Sequence, residues 1–164
     1  MKLGLVFNEK NKIPENEIEK ICQMLDAEFL VFQNFGSACG AKSVSSLEEL
    51  IKSSDITLAF GGDGTILETA KSAAIYEKPV LGVNAGYLGF LACIERSEIS
   101  KLKKVLNGEF KVSSRMILEC KFKEKNFLAL NDVVLSRGAG YRVANYSVFK
   151  ENFGKTFECL ADGI

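Results

Sequence analysis

Five consecutive residues, Gly61-Gly-Asp-Gly-Thr65, have the types and spacing in this sequence best suited to chemistry. Gly61, Gly62 and Gly64 would let the backbone approach an oxyanion closely, and the N–H groups at the start of a following helix favour negative charge. A carboxylate such as Asp63 is repelled beside a phosphate unless it binds a metal ion or takes up a proton. The pattern therefore indicates phosphoryl transfer more than simple anion binding.

A simpler interpretation is a tight turn in which Asp63 or Thr65 caps the next helix. The context favours function, because residues 56–60 form an apolar run typical of a buried strand and residues 66–76 have helical spacing. The segment is not a Walker A loop, since no Gly-Lys-Ser/Thr follows, and it is not a Gly-x-Gly-x-x-Gly dinucleotide fingerprint. Its chemistry must be organised around the aspartate.

The sequence contains no histidine, which excludes Ser-His-Asp, Cys-His and histidine–metal sites within it. A proton acceptor at neutral pH must then be a carboxylate, lysine, tyrosine or cysteine. This again directs attention to Asp63.

Composition indicates a cytoplasmic enzyme domain. The 164 residues are 47% hydrophobic, which suits one domain or one domain plus part of a second. The 21 basic and 21 acidic residues cancel without a basic stripe, which argues against nucleic acid as a partner. Five scattered cysteines are predicted to be small core residues in a reducing compartment. We found no segment typical of a membrane span or signal peptide, so no membrane partner is expected.

Residues 1–110 are predicted to be an α/β domain that positions the glycine-rich turn. Strands and helices alternate there, which favours a mostly parallel, Rossmann-like sheet flanked by helices. Such sheets bind ligands at the carboxyl ends of their strands, where Asp63 and Asn84 would both lie. The predicted strands are residues 3–8, 29–32, 56–60 and 79–83, and the predicted helices are 15–27, 46–52 (with Glu48 or Glu49 completing a capping box), 66–76 and 97–107.

Residues 111–164 have a different pattern, with strands in succession and no helix between them. This predicts the start of an antiparallel all-β domain. The sequence ends at Asp162-Gly-Ile164, and four strands are few for a covered sheet, so we expect a truncated domain. The predicted strands are residues 112–123, 127–136, 142–150 and 155–161.

Two further segments carry residues that core packing alone does not explain. Asn84-Ala-Gly-Tyr-Leu-Gly-Phe-Leu91 is either a connecting loop packed on the core or a binding segment, with Phe90 well placed to face a nucleotide. Asn131 and Asp132 are a polar pair inside a predicted apolar strand. Successive strand residues face opposite sides, so one of the two must enter a site or a buried network unless a bulge or turn lies there.

Taken in order, Gly61-Gly-Asp-Gly-Thr65, Asn84 to Leu91, Asn131-Asp132 and Ala161-Asp-Gly163 resemble the ATP- or polyphosphate-dependent NAD kinases. The resemblance extends over the whole chain. Gly-Gly-Asp-Gly-Thr is shared with lipid kinases and, more loosely, with phosphofructokinases. Asn-x-Gly-x-Leu-Gly-Phe-Leu and the later Asn-Asp pair are what indicate NAD kinase.

The resemblance implies that Asp63 activates the 2′-hydroxyl of the adenosine ribose of NAD, as a base or through Mg²⁺ or Mn²⁺, for attack on the γ-phosphoryl of ATP or on polyphosphate. Asp63 would hold the metal together with substrate phosphates. Asp162 would reach the nicotinamide end of a neighbouring subunit's ligand, which implies a homo-oligomer, a dimer or tetramer. The other implied contacts are a phosphate cradle (Gly61, Gly62, Gly64, Thr65), pocket walls (Leu67, Phe90), a polar group at a strand end (Asn84) and the adenine and ribose partners (Asn131, Asp132).

Two alternatives remain open at this stage. A lipid kinase of the diacylglycerol or sphingosine type would share Asp63, although Asn84 to Leu91 argues against it. A catalytically incomplete nucleotide-binding fragment is the other, because the family is expected to continue into a Gly-Ser-Thr-Ala-Tyr segment that this sequence lacks. The chain alone is therefore expected to be inactive.

Overall fold

The computed structural model describes residues 1–8, 13–32, 40–85, 89–138 and 143–164. It divides into two compact units, Met1–Ile117 and Leu118–Ile164. The domain boundary near residue 110 stays a prediction. No helix in the described ranges is long and apolar enough to cross a bilayer.

The first unit is built on a parallel sheet, as predicted. Six strands are described, in the spatial order β3-β2-β1-β4-β5-β6, and every neighbouring pair is parallel. All six positions of β4 are buried, because helices cover both faces of such a sheet and its strands are continuous apolar runs. The strands are β1 (Lys2–Phe7), β2 (Glu28–Phe32), β3 (Lys42–Val44), β4 (Ile56–Gly61), β5 (Val80–Asn84) and β6 (Ile94–Glu95).

Helices connect these strands and begin where the local sequence favours it. The Ser46 side chain accepts the Glu49 N–H at 3.1 Å at the start of α2, and the Glu49 carboxylate accepts the Ser45 N–H at 2.9 Å. These two bonds confirm the predicted cap, except that the Glu49 carboxylate accepts from the N–H of Ser45 and not from that of Ser46. The helices are α1 (Glu15–Met24), α2 (Leu47–Ser53), α3 (Asp63–Ala74), a 3₁₀ helix (Arg96–Lys101) and α4 (Leu102–Leu106).

Two hydrophobic clusters lie on the two faces of the sheet. Alternate residues of β1 explain the division, since Leu3, Leu5 and Phe7 belong to one cluster and Val6 to the other. Gly4 lies under α2, where a Cβ atom would come within 2.4 Å of Leu50 Cδ2. A small residue at that position therefore allows the helix to pack directly on the strand.

Several boundaries differ from the sequence prediction. Strands β3 and β6 were not predicted, because three and two residues are too short to show a periodic pattern. Helix α1 ends at Met24, three residues before its predicted end. The single helix predicted over residues 97–107 is a 3₁₀ helix followed by the short α4.

The second unit consists of antiparallel strand pairs, as predicted. Strand β7 (Leu118–Phe122) pairs with β8 (Lys125–Ala129), and β9 (Ala144–Lys150) pairs with β10 (Gly154–Ala161). Residues 112–117 and 130–135 are not strands, so those parts of the prediction are wrong. Asn131 and Asp132 favour turns and explain why β8 ends early.

The cysteines differ from the expectation of simple core residues. Cys22 is buried and disulfide-bonded. Cys93 is exposed, and Cys120 and Cys159 are intermediate in exposure. The three free thiols are distant from the glycine-rich turn in sequence.

An ion pair connects α1 to the 3₁₀ helix. Arg96 Nε donates to Glu17 Oε1 at 2.5 Å, and Arg96 Nη2 donates to Glu17 Oε2. The hydrogen bond from Arg96 holds the pKa of Glu17 below its usual value. A lowered carboxyl pKa stabilises the folded state above the unfolded-state pKa, and this stabilisation is lost as the pH falls through the folded-state pKa.

Glu17→Gln is expected to lower the free energy of unfolding at pH 7 by about 0.2–1 kcal/mol, the range for partly exposed ion pairs. The difference from wild type should shrink as the pH falls below about 4.5, the ordinary value for glutamate. Urea unfolding at a series of pH values measures this difference in the free energy of unfolding. Glu19→Gln, on the same helix, controls for the charge change. A difference that persists at the lowest pH would contradict the ion-pair explanation.

Candidate active site

The strand order locates the ligand crevice of the first unit. From β1 the chain continues to one side of the sheet through β2 and β3, and β4, β5 and β6 extend to the other side. In doubly wound sheets, ligands bind at the carboxyl ends of the two strands that flank this reversal. Here those strands are β1 and β4, and β4 ends at Gly61.

The glycine-rich turn is a direct strand-to-helix connection, as predicted. Gly62 has an extended backbone and is the N-cap of α3, and Asp63 is the first residue of that helix. The N–H groups of Thr65 and Ile66 bond to the Gly62 carbonyl at 3.0 and 3.2 Å. In the part of the chain that the structure describes, no side-chain hydrogen bond caps the helix start. An uncapped helix N-terminus at a crevice is suited to an anion, since its N–H groups and dipole favour negative charge.

Close packing explains the first glycine of the motif. A Cβ atom on Gly61 would come within 2.4 Å of Thr65 Oγ1 and 2.6 Å of Thr65 Cβ. Thr65 lies in the first turn of α3, and Thr69 Oγ1 donates to its carbonyl at 2.8 Å. Gly61 thus lets α3 start directly above the end of β4.

The Asp63 carboxylate turns toward the segment after β5. Oδ2 accepts the Phe90 N–H at 3.2 Å, and Oδ1 accepts the Leu91 N–H at 3.0 Å. Asp63 therefore does not cap α3, and that interpretation is wrong. Two main-chain donors orient a partly exposed carboxylate at the crevice.

Asn84 lies beside this turn at the end of β5. Its backbone is opposite Gly61 in the β4–β5 register, and its side chain is only 3% exposed. Asn84 Nδ2 donates to Glu95 Oε2 at 3.0 Å, which fixes the orientation of the amide. Glu95 was missed in the sequence, because its place next to Asn84 depends on the two-residue strand β6.

The predicted apolar walls differ in exposure. Phe90 is 87% exposed, so its ring is available to a ligand, while Leu67 is half-buried on α3. Leu91, which the connecting-loop interpretation of this segment packs on the core, is also only half-buried. Leu88 of the same motif lies outside the described residues.

A cavity of about 370 Å³ lies beside the glycine-rich turn, at the ends of β1 and β2. Two residues of the predicted phosphate cradle, Gly64 and Thr65, line this cavity. The size falls within the range for small-molecule sites. The other lining residues are Val6, Phe7, Asn8, Phe32, Leu47, Glu68 and Thr69.

The remaining predicted site residues belong to the second unit. Asn131 and Asp132 are exposed in the segment after β8. The Asp162 side chain is 72% exposed and pairs with Arg137, whose Nε lies 3.0 Å from Asp162 Oδ1. The Asp162 carbonyl also accepts the Arg137 N–H at 2.9 Å, which connects the chain end to the segment before β9.

Residues 3–110, which include every predicted site residue of the first unit, match the family model of the ATP-NAD kinase N-terminal domain. The chain belongs to the NAD kinase family. An NAD kinase of Clostridium botulinum (strain Loch Maree / Type A3) is 34% identical over 99% of this chain and 58% of its own length. An NAD kinase of Caldanaerobacter subterraneus is 42% identical over 71% of this chain and 43% of its own length. The matched parts thus cover between 43% and 58% of the length of these relatives.

Solved NAD kinase structures share the fold. Yeast NADH kinase in complex with NADH superimposes with a TM-score of 0.82 at 20% identity, covering 99% of this chain and 56% of that one. An NAD kinase from Archaeoglobus fulgidus in complex with ATP gives a TM-score of 0.67 at 22% identity, covering 99% and 59%. Nothing in these comparisons favours a lipid kinase.

Proposed function

We propose that this chain carries the phosphoryl-transfer site of an NAD kinase, which forms NADP from NAD with ATP as donor. The observation that carries the proposal is the placement of Asp63. Its carboxylate is partly exposed at the uncapped N-terminus of α3, and two main-chain N–H groups orient it. Membership of the NAD kinase family supports the choice of substrates.

In the proposed reaction, the 2′-hydroxyl oxygen of the adenosine ribose forms a bond to the γ-phosphorus of ATP. The bond from that phosphorus to the β,γ-bridging oxygen breaks, ADP leaves, and Asp63 takes up the hydroxyl proton. Gly61, Gly62, Gly64 and Thr65 bind phosphate oxygens through the turn and the helix start, which stabilises the negative charge of the transferring group. Polyphosphate is an alternative donor for the same cradle.

The residues at this site fit a divalent ion held jointly with substrate. Within the described ranges no group of three or more acidic, cysteine or histidine side chains forms a protein-only metal site. Mg²⁺ usually takes one or two carboxylates and completes its coordination with substrate phosphates and water. Asp63 would be its protein ligand, because hard carboxylate oxygens suit Mg²⁺ or Mn²⁺. The ion would neutralise charge on the phosphates when bound.

Further side chains are proposed to bind NAD. The exposed ring of Phe90 and the side chain of Leu67 would form apolar walls, and Asn84 would border the site at the end of β5. Asn131 and Asp132 would bond adenine and the ribose hydroxyls. We propose that the 370 Å³ cavity accepts part of the donor nucleotide, because Gly64 and Thr65 belong to both the cavity and the cradle.

The oligomeric state and the cellular location are proposed from the sequence. The exposed Asp162 would reach the ligand of a neighbouring subunit in a homo-oligomer, a dimer or tetramer. A cytoplasmic location and the absence of nucleic-acid and membrane partners stay predictions.

The proposal is tested by titrating NAD into the chain, and by assaying NADP formation with ATP and Mg²⁺ in a form extended to the full length of its relatives. We expect NAD binding by the chain and ATP-dependent NADP formation by the extended form. Asn131→Ala and Asp132→Ala should each weaken NAD binding by about 1–3 kcal/mol, the cost of an unpaired buried hydrogen-bonding group. Asn126→Ala, on the exposed strand β8 of the same unit, is the matched control.

Three outcomes would count against parts of the proposal. Phosphorylation of diacylglycerol without NADP formation would favour the lipid kinase alternative. NAD binding without turnover in the extended form would make the chain a nucleotide-binding unit only. Unchanged NAD affinity in both variants, together with a lower unfolding temperature, would assign the Asn131–Asp132 pair to structure.

A further inference from the structure

The Asp63 carboxylate is held by the main chain of a segment far from it in sequence. Phe90 and Leu91, 27 and 28 positions away, each donate their N–H to a different carboxylate oxygen. Hydrogen bonds to an ionised acceptor are stronger than those between neutral groups. With one donor on each oxygen, rotation of the carboxylate about its bond to Cβ would break both contacts.

The residue before these donors is a glycine that lies against the same carboxylate. A Cβ atom on Gly89 would be 3.2 Å from Asp63 Oδ1 and 3.9 Å from Asn84 Oδ1. The Gly89 backbone is not in the left-handed region, so conformation alone does not require glycine there. Its role is close approach. Asn84 cannot readily move aside, since it is buried and bonded to Glu95.

The contacts leave Asp63 with capacity for chemistry. Each carboxylate oxygen offers about two lone-pair directions, and one N–H occupies one of them. Among the described residues no other hydrogen bond is made to either oxygen, so the second direction can accept a substrate hydroxyl proton or bind a cation. The segment therefore orients the carboxylate without blocking it.

We propose that Gly89 and the N–H groups of Phe90 and Leu91 form a positioning device for Asp63, with Gly89 as its positioning residue. The proposal rests on the proposed function. It also couples two parts of the site, because Phe90 provides both an N–H to Asp63 and the exposed ring proposed to contact NAD. A ligand that packs on the ring fixes the residue that orients the carboxylate.

Gly89→Ala tests the device directly. The added methyl group lies closer to Asp63 Oδ1 than ordinary contact allows, so the carboxylate must shift by a few tenths of an ångström. We expect kcat to fall about tenfold, since a displacement of 1 Å in a catalytic geometry costs about a hundredfold. KM for NAD and the unfolding temperature should stay close to wild type. Gly138→Ala is the matched control, because a Cβ there meets no atom within 4 Å.

Amide hydrogen exchange gives a readout that does not depend on turnover. The Phe90 and Leu91 amides should exchange about tenfold more slowly than the open-chain amides of Ser113 and Ser114. Asp63→Ala should abolish this protection, and Gly89→Ala should reduce it. Absence of NADP formation by the extended wild-type form, with the protection present, would count against the proposed function and not against the device.

Two results would overturn the proposal. One is rapid exchange at Phe90 and Leu91 in the wild-type chain, which means that the contacts are not formed. The other is a kcat for Gly89→Ala equal to that of Gly138→Ala in an active enzyme. A parallel fall in kcat and unfolding temperature, with exchange at Phe90 and Leu91 unchanged, would also reject a positioning role.

Discussion

Asp63→Asn is expected to lower the rate of NADP formation by the extended form by about 10² to 10⁴, the typical contribution of a positioned proton-transfer group. The amide has nearly the shape of the carboxylate, but it cannot take up the hydroxyl proton and is a poor ligand for Mg²⁺. It also presents an NH₂ group to one of the N–H donors on Phe90 and Leu91, so one contact is lost. NAD affinity should change little, because NAD is proposed to bind mainly through other groups.

Stability separates this catalytic role from a structural one. Asp63 is in the first turn of α3, where a negative charge contributes about 0.3–1 kcal/mol through the helix dipole. The free energy of unfolding should fall by no more than that order. Asp26→Asn, at an exposed aspartate between α1 and β2, controls for the change in net charge. Turnover within threefold of wild type would remove Asp63 from the mechanism.

Much of the first unit could be predicted from the sequence, because its evidence is local. The apolar run before Gly61 and the helical spacing after Thr65 place Asp63 at a strand-to-helix turn, and the structure has that turn. Alternation of strands and helices gave the parallel sheet. The position of Asn84 at the end of β5 follows from the same rule.

The partners of Asp63 could not be predicted, because they depend on a contact between segments 27 and 28 positions apart. The same sequence motif suggested the ring of Phe90 as a functional group and gave no indication of its N–H. Glu95 was missed for a related reason. It reaches Asn84 only because β6 extends the sheet by two residues.

The second unit was predicted less well because its apolar residues do not mark its strands. The run of residues 130–135 includes valines and leucines typical of a strand, yet Asn131 and Asp132 interrupt it and β8 ends at Ala129. The apolar side chains of this run are largely exposed, including Val134 and Leu135. Hydrophobic periodicity predicts structure only where one face of the element is buried.

Glycines of the motif that look alike in sequence should respond oppositely to alanine. At Gly64, on α3, a Cβ atom meets nothing within 4 Å. Alanine is preferred over glycine within helices by about 1 kcal/mol. Gly64→Ala should therefore leave stability unchanged or raise it by up to that amount. This makes Gly64 the matched control for Gly61 in the same five residues.

Gly61→Ala is expected to lower the free energy of unfolding by about 1–3 kcal/mol, the usual cost of overpacking. The added methyl group would lie 2.6 Å from Thr65 Cβ, an atom fixed by the α3 backbone, so side-chain rotation cannot relieve the contact. The first turn of α3 must shift, which also moves Asp63. Urea unfolding measures the loss.

Because Thr65→Gly removes the clashing atoms, the double variant Gly61→Ala/Thr65→Gly should lose less free energy of unfolding than the sum of the two single changes. Additive costs would mean that Gly61 is required for another reason.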